Sequence, residues 1–424
     1  MARETTAADR RFAMRQVITT AAIAGLGGLL FGYDTGIIAS ALLFIEPEFG
    51  LSSFGSGLVV AAVPIGAVGG ALFAGRLSDT YGRRLMILIS AAIFIVGAIG
   101  SALADSEAVL VISRIVVGAA IGLASAAAPV YISEVSPPDV RGRLVTFFQL
   151  SVTIGIVVAY GVGLAFEPNG DWRWMLGLGA FPAIALLVGM LRMPQSPRWL
   201  VMVGRGYDAR ATLERIRVDD PAAIDAELDE ISESIVTEPG SWRDLLEPVA
   251  KAALLVGVGL AVLQQVSGIN TVIYFAPTII GYTGVDSDSA AILASVAVGI
   301  VNVGMTLVAI RLLDRAGRRP LLLWGTALMA TALSALAIVF MTGASSDVGS
   351  FVAIGSLMLY VGAFAISLGP IFWLLNAELY PLNIRSKAAS VGTMANWTFN
   401  FIVSLTFLLL IDGLGRSGAF FFYA

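Results

Sequence analysis

The stretch Gly75-Arg-Leu-Ser-Asp-Thr-Tyr-Gly-Arg-Arg84 decides the fold, because a shorter copy of it occurs again as Arg311-Leu-Leu-Asp-Arg-Ala-Gly-Arg-Arg319. Each copy lies between two long apolar runs, and the shared Asp-x-x-Gly-Arg-Arg core recurs at one constant offset. A second string, Glu134-Val-Ser-Pro-Pro-Asp-Val-Arg141, recurs as Glu378-Leu-Tyr-Pro-Leu-Asn-Ile-Arg385 at a nearly equal offset. Two different motifs repeated in the same order predict a duplicated chain with a binding site between its halves.

The composition places these motifs in a membrane protein. Hydrophobic residues make up 57% of the 424 residues, charged residues make up 13%, and the mean hydropathy is +0.86, whereas soluble domains are about a quarter charged. A helix needs about 20 apolar residues to span a bilayer, and the apolar runs do not alternate as the strands of a membrane β-barrel would. We therefore predict eleven membrane-spanning helices. They are 17–44, 55–75, 85–104, 108–132, 143–166, 172–192, 250–283, 288–313, 320–342, 350–379 and 386–412.

Basic residues indicate the orientation and the division of the chain. Of the 26 lysines and arginines, 23 lie in the N-terminal tail and in the loops that follow every second span, which predicts a cytoplasmic N-terminus. The long polar stretch 194–249 has apolar residues at helical spacing and is predicted to be a cytoplasmic helical linker. We predict an all-α integral membrane protein with a six-helix bundle in 1–193 and a second bundle in 250–424. Six spans a half is the natural unit, so the twelfth helix is expected to be truncated.

The residue types that are absent narrow the chemistry. The chain has no cysteine and no histidine, so disulfides and the usual metal ligands and neutral-pH proton carriers are excluded. We predict no metal, no cofactor and no nucleic-acid partner. A membrane enzyme would need a nucleophile, a metal site or an acid–base set, and the sequence offers none. Any proton binding and release must therefore use carboxylates.

Several strings resemble the sugar porter branch of the major facilitator superfamily. The repeated loop motif is typical of the superfamily, whereas Pro194-Gln-Ser-Pro-Arg-Trp199 and Gln264-Gln-Val-Ser-Gly-Ile-Asn270 are similar to strings specific to sugar porters. The other matches are Gly32-Tyr-Asp34, Glu134 to Arg143, Gly369-Pro-Ile-Phe-Trp373 and Asn396-Trp397. The resemblance covers nearly the whole chain and implies two pseudo-symmetric six-helix bundles. The chain departs from the family by lacking a twelfth span with its following Pro-Glu-Thr-Lys-like string, and by having Ala365 where glucose facilitators carry Glu.

Two ionisable residues lie well inside predicted spans, and such residues are costly in lipid and indicate function. Asp34 lies in the first span and Arg114 in the fourth. Counting about 1.5 Å of rise per residue places both in the outer half of the membrane, where they could meet. An arginine favours the ionised form of a buried carboxylate. We predict that Asp34 is the proton site and that Arg114 tunes it, as the resemblance also implies; a static ion pair is the alternative.

Amide and indole side chains are the candidate sugar ligands. A carboxamide donates and accepts hydrogen bonds, as a sugar hydroxyl does, and an indole offers an apolar face with one N–H donor. Interhelical hydrogen bonding is the alternative for any single residue, at about 0.6 kcal/mol each. The seventh span must break, and Gly268 could allow this. The predicted substrate-binding residues, which also match sugar-contacting positions that the resemblance implies, are Gln149, Gln264, Gln265, Asn270, Asn302, Trp373, Asn396 and Trp397.

Charged residues at the cytoplasmic ends of the spans are candidates for an inner gate. Acidic residues contribute little to topology, so Glu134 and Glu378 at the ends of the fourth and tenth spans need another role. We expect solvent-accessible ion pairs that hold the inner side shut and break in each cycle. The alternative is that these charged residues only fix the membrane topology. The predicted gate residues are Arg84, Glu134, Arg141, Arg318, Arg319, Glu378 and Arg385.

The favoured function is proton-coupled uptake of a monosaccharide, with glucose as the expected sugar, by a monomer in the bacterial inner membrane. The partners are then the sugar, the proton and the lipid bilayer. An uncoupled sugar facilitator is the runner-up, and it would be indifferent to the proton gradient. A sugar sensor that does not transport is a further alternative, typical of chains with a long cytoplasmic tail.

Overall fold

The computed structural model describes residues 7–217, 221–235, 241–285, 287–342, 347–381 and 384–424. These residues form α-helices and two short 3-10 helices, Glu167–Asn169 and Trp242–Leu246, and none of them forms a strand. The first half contains α1 Ala7–Phe49, α2 Ser53–Tyr81, α3 Arg83–Ala102, α4 Glu107–Val135, α5 Arg141–Phe166, α6 Trp172–Gly177 and α7 Ala180–Leu191. Three helices follow, α8 Pro197–Met202, α9 Gly206–Ile216 and α10 Pro221–Ile235. The second half contains α11 Pro248–Val266, α12 Ile269–Tyr274, α13 Ala276–Gly281, α14 Asp288–Ala316, α15 Arg318–Met341, α16 Asp347–Ile366, α17 Leu368–Glu378 and α18 Arg385–Tyr423.

Eleven helical segments within the described residues are long and apolar enough to cross a membrane, as predicted. The sixth predicted span is divided into α6 and α7, the seventh into α11 to α13, and the tenth into α16 and α17. The predicted break at Gly268 is present, with a φ of 83° that an L side chain rarely adopts. The tenth span breaks at Ser367, just before Gly369 and Pro370.

Glycines let the helices of the first half pack at backbone distance. A Cβ at Gly32 of α1 would overlap the carbonyl of Val152 in α5, and one at Gly118 of α4 would overlap the carbonyl of Val63 in α2. Small residues at such crossings bring helix backbones together where lipid provides no hydrophobic driving force. The pairs α1 with α5 and α2 with α4 are therefore rigid units of this half.

The chain reverses near its end. Gly415 in α18 has a φ of 72° and a ψ of 166°, so the residues after it start a new helical direction. The ring of Phe420 stacks on Phe340 at 5.4 Å and lies 6.2 Å from Phe407. Since 13 residues of straight helix would separate Phe407 and Phe420 by about 20 Å, the last residues run back along the bundle, where the start of a twelfth helix was predicted.

The linker helices α8 to α10 pack on one end of the first half, and we call that side of the molecule the linker face. Trp199 donates its indole N–H to the backbone oxygen of Asp79 at 2.9 Å, in the last turn of α2. Arg217 is buried, pairs with Glu227 at 3.1 Å, and donates to the last carbonyl of α4, that of Val135, at 2.9 Å. The side chain of Arg217 thus satisfies a carbonyl that the helix end leaves without a partner.

Candidate functional site

A cavity of about 910 Å³, including its open part, lies between the two halves, and we call it the central cavity. Its walls come from α1 and α5 of the first half and from α11, α12, α14, α16, α17 and α18 of the second. All eight predicted substrate-binding residues line it, namely Gln149, Gln264, Gln265, Asn270, Asn302, Trp373, Asn396 and Trp397. The break at Gly268 brings Asn270 to the same cavity as Gln264 and Gln265.

Four amides on one wall of the cavity form a continuous hydrogen-bonded row. Asn270 donates to Gln265 at 2.6 Å, Gln265 donates to Asn396 at 3.0 Å, and Asn396 donates to Gln264 at 2.6 Å. Gln264 then donates to the carbonyls of Leu368 and Gly369, in the first turn of α17. Each amide is therefore held in one orientation, with its remaining hydrogen-bonding capacity available to a ligand.

Three polar groups of the cavity have no partner among the described residues. The indole N–H of Trp397 is buried without a hydrogen bond, and its ring lies 5.3 Å from that of Phe31. The side-chain amides of Gln149 and Asn302 likewise form no hydrogen bond with a described residue, although Asn302 is only 6% exposed. A buried polar group without a partner is costly, and a hydroxyl-rich ligand would satisfy all three.

The sequence prediction missed other cavity residues. Their side chains are common in apolar spans, so only the helix faces given by the tertiary structure identify them. Asn400 also lies on the cavity wall. The cavity residues that were not predicted include Phe31, Thr35, Thr146, Thr153 and Thr306.

The cavity reaches towards the linker face and is closed on the opposite side. It extends to Thr146 near the start of α5 and to Leu313 near the end of α14. On the opposite side Tyr160 donates to the carbonyl of Ile273 at 2.8 Å, across the two halves. A second hydrogen bond there joins the side chains of Ser289 and Glu167 at 2.6 Å. The structure is therefore open towards the linker.

Asp34 and Arg114 form a buried ion pair next to the central cavity. Their side chains approach to 3.3 Å, and Arg114 also donates to the backbone oxygen of Val59 at 2.8 Å. Asp34 is 5% exposed and Arg114 1%. The carboxylate lines a separate small pocket with Tyr33 and Ile37, so it does not face the central cavity. A bound sugar would not touch this pair.

One side chain connects the ion pair with the central cavity. The hydroxyl of Tyr274 lies near the side chain of Thr35, the chain neighbour of Asp34. The same hydroxyl accepts from Asn400 at 3.4 Å, and Asn400 accepts from Ser404 at 3.0 Å. Thr35 and Asn400 both line the cavity. Tyr274 thus joins α1 of the first half to α12 and α18 of the second.

The charged residues of the linker face are arranged differently from the predicted gate. Glu134 pairs with Arg83 at 3.1 Å and not with Arg84, whose guanidinium donates to the carbonyls of Met190 and Leu191. Successive residues of a helix point about 100° apart, so only Arg83 at the first position of α3 can face the end of α4. The expected solvent exposure is also wrong here, since the Glu134 side chain is 7% exposed.

The remaining predicted gate residues lie within single halves. Arg318 pairs with Glu378 at 3.5 Å, and both side chains are about half exposed. Arg385 donates to the backbone oxygen of Tyr380 at 3.2 Å. Arg141 and Arg319 are exposed and form no ion pair with a described residue. Neither Arg83–Glu134 nor Arg318–Glu378 joins the two halves in this open state.

Comparisons with known proteins agree with this architecture. The family described as "Sugar (and other) transporter" matches residues 20–424. A D-xylose transporter of Levilactobacillus brevis is 42% identical over 94% of this chain and 87% of its own length. The galactose-proton symporter of Escherichia coli (strain K12) is 40% identical over 95% of this chain and 87% of its own length. The partially occluded inward open structure of the xylose transporter XylE from E. coli superposes with a TM-score of 0.85, at 30% identity, over 96% of this chain and 94% of that chain.

The fold and the central cavity between its halves define a multi-pass membrane transporter of the major facilitator superfamily, and not an enzyme. Within that class the chain belongs to the sugar (and other) transporter family, as a sugar porter of the bacterial type.

Proposed function

We propose that the chain carries a monosaccharide together with a proton across the bacterial inner membrane, as a monomer, with glucose as the sugar. The observation that carries this proposal is the central cavity, where amide and indole groups of both halves converge on one space. Sugar hydroxyls donate and accept as carboxamides do, and the apolar face of a sugar suits an indole. The similarity to a galactose-proton symporter and to a D-xylose transporter supports sugar and proton as the two cargoes.

In this proposal Asp34 is the residue that binds and releases the proton. When it is ionised, Arg114 holds it across α1 and α4. Protonation removes the negative charge, so the pair loses its Coulomb attraction while the burial that opposes a charged carboxyl remains. α1 and α4 are then free to shift against each other. Tyr274 transmits this shift, because its hydroxyl interacts with both Thr35 and the cavity residue Asn400.

The transport cycle alternates access between the two faces. Lysine and arginine are concentrated on the linker side, 23 of 26, which supports a cytoplasmic linker face and N-terminus. The structure is then the state that releases sugar inward. Closing that face requires new contacts between the halves, and the exposed pair Arg318–Glu378 and the free guanidinium of Arg141 are available for them.

The test is uptake of labelled sugars by proteoliposomes under an imposed pH gradient. We expect accumulation of glucose above xylose, galactose and arabinose, and we expect Asp34→Asn to abolish accumulation while sugar exchange without a gradient continues. Asp105→Asn, an exposed acid on a loop, is the matched control. Accumulation that survives Asp34→Asn would overturn the role of Asp34, and uptake of the unsubstituted protein that ignores the gradient would establish the facilitator instead.

A further inference from the structure

Three arginines surround a pocket at the seam between α5 and α14. Arg143 comes from the first half, and Arg311 and Arg315 come from the second. All three are exposed, and none forms an ion pair with a described residue; the side chain of Asp314 is outside the described part of the chain. Ile310 lines both this pocket and the central cavity, so the arginines lie beside the cavity mouth. Guanidinium groups bind phosphate oxygens in a bidentate manner.

An apolar groove runs along the same two helices, deeper in the membrane. It is lined by Ile154, Val157 and Val158 of α5 and by Ile300, Val303 and Gly304 of α14. Ile300 is 58% exposed and Val158 43%. A Cβ built at Gly304 would meet no atom within 4 Å. The groove therefore has room for an occupant where these two helices, one from each half, meet.

The spacing of the pocket and the groove matches one lipid molecule. Ile154 lies eleven residues beyond Arg143 in α5, a rise of about 16 Å, and Gly304 lies seven residues before Arg311 in α14, about 10 Å. Half of the hydrocarbon core of a bilayer is about 15 Å thick. The groove continues to Val158 and Ile300, four residues further along each helix, so an acyl chain anchored at the arginines would reach the near end of the groove, in the leaflet on the linker side.

We propose that this seam binds an anionic phospholipid, with its phosphate on Arg143, Arg311 and Arg315 and an acyl chain in the groove. A free phosphate would explain the arginines but not the groove, and an uncharged lipid would explain the groove but not the arginines. Basic pockets between membrane helices on the cytoplasmic side suit anionic head groups. Because the phosphate bridges the two halves, the bound lipid has a different affinity for states in which α5 and α14 are differently spaced.

The experiment is native mass spectrometry of the full chain in detergent, titrated with phosphatidylglycerol or phosphatidylcholine. We expect the protein to prefer phosphatidylglycerol, and we expect the triple variant Arg143→Gln, Arg311→Gln, Arg315→Gln to lose that preference by about tenfold, the equivalent of about 1.4 kcal/mol. The matched control removes three exposed arginines of the linker face outside the seam, by Arg76→Gln, Arg192→Gln and Arg319→Gln. It should bind phosphatidylglycerol as the unsubstituted protein does.

Gly304→Leu tests the groove with the arginines intact and should also weaken phosphatidylglycerol binding. Gel-filtration elution and thermal unfolding of each variant establish that it is folded. Equal losses in the two triple variants would overturn the proposal, because binding would then depend on diffuse charge. Displacement of the lipid by millimolar inorganic phosphate, with no effect of Gly304→Leu, would also overturn it, because the arginines would then bind a soluble anion.

Discussion

The indole of Trp397 is the cavity group whose chemistry is easiest to isolate. Its N–H is buried without a partner, while its ring is held against Phe31. The ring position is therefore fixed before a sugar arrives, and the N–H is left to donate to a hydroxyl. A hydrogen bond of this kind contributes about 1–1.5 kcal/mol.

Trp397→Phe should retain the ring contact and remove the donor. We expect the sugar concentration for half-maximal transport to rise roughly five- to tenfold, measured by initial uptake rates in proteoliposomes. Trp324→Phe, at a tryptophan that is 74% exposed on the outside of the bundle, should change little. An unchanged half-maximal concentration in Trp397→Phe would show that the indole only packs.

Tyr274 is the residue at which proton and sugar are expected to communicate. Asp34 does not line the central cavity, whereas Asn400, which donates to the Tyr274 hydroxyl, and Thr35, which lies near that hydroxyl, do. Tyr274→Phe should therefore lower proton-driven accumulation several-fold and leave gradient-free exchange nearly intact. The readout is the ratio of these two rates in the same proteoliposomes.

Tyr282→Phe is the matched control for this prediction. The Tyr282 ring stacks against the guanidinium of Arg416 at 4.1 Å, and phenylalanine retains that ring. Tyr282→Phe should keep the ratio of accumulation to exchange. A Tyr274→Phe variant with the same ratio as the unsubstituted protein would contradict the proposed link.

At the scale of the elements, the breaks in the helices form the site. The interruption at Gly268 turns Asn270 towards Gln264 and Gln265, and α17 begins after the interruption at Ser367 with Leu368 and Gly369, whose carbonyls Gln264 binds. Non-helical backbone at membrane depth is tolerated where it lines a polar cavity. The same breaks are positioned where the second half must bend as the cavity changes its access.

The close crossing of α2 and α4 should tolerate no side chain at Gly118. Gly118→Ala would drive a Cβ into the carbonyl of Val63, and overpacking of this kind costs about 1–3 kcal/mol. We expect a lower thermal unfolding midpoint for the purified protein in detergent. Gly69→Ala is the control, because a Cβ there meets nothing, and replacing a helical glycine by alanine should be neutral or stabilising. Equal midpoints for the two variants would refute the packing argument.

For the whole molecule, the structure predicts which face must open. The halves are held together opposite the linker by Tyr160 with Ile273 and by Glu167 with Ser289. Since the chain has no cysteine, Glu167→Cys with Ser289→Cys allows a clean cross-link of that face. A short, reducible thiol cross-linker should abolish uptake, and reduction should restore it.

The single variants Glu167→Cys and Ser289→Cys are the controls for the cross-link, and the same reagent should leave their uptake unchanged. Transport that continues in the cross-linked double variant would mean that this face does not open during the cycle. The measurement is uptake of labelled sugar before cross-linking, after it, and after reduction.

The sequence by itself determined the helical membrane fold, the duplicated halves and eight of the polar residues that line the central cavity. The helical fold could be predicted because apolar runs of this length are stable in lipid only as helices. The polar residues could be predicted because amide and indole groups are rarely placed in lipid unless a partner satisfies their hydrogen bonds. Gly268 could be predicted as a break for the same reason, because glycine is the residue that adopts a positive φ without strain.

Only the tertiary structure decided which side chains meet. The sequence could not distinguish Arg83 from Arg84 as the partner of Glu134, because one helical position changes the direction of a side chain by about 100°. It also could not show that Asp34 lies beside the central cavity rather than in it, or that Tyr274 bridges the two. These facts depend on how helices distant in the chain are rotated and spaced against each other, and that packing is a property of the assembled bundle.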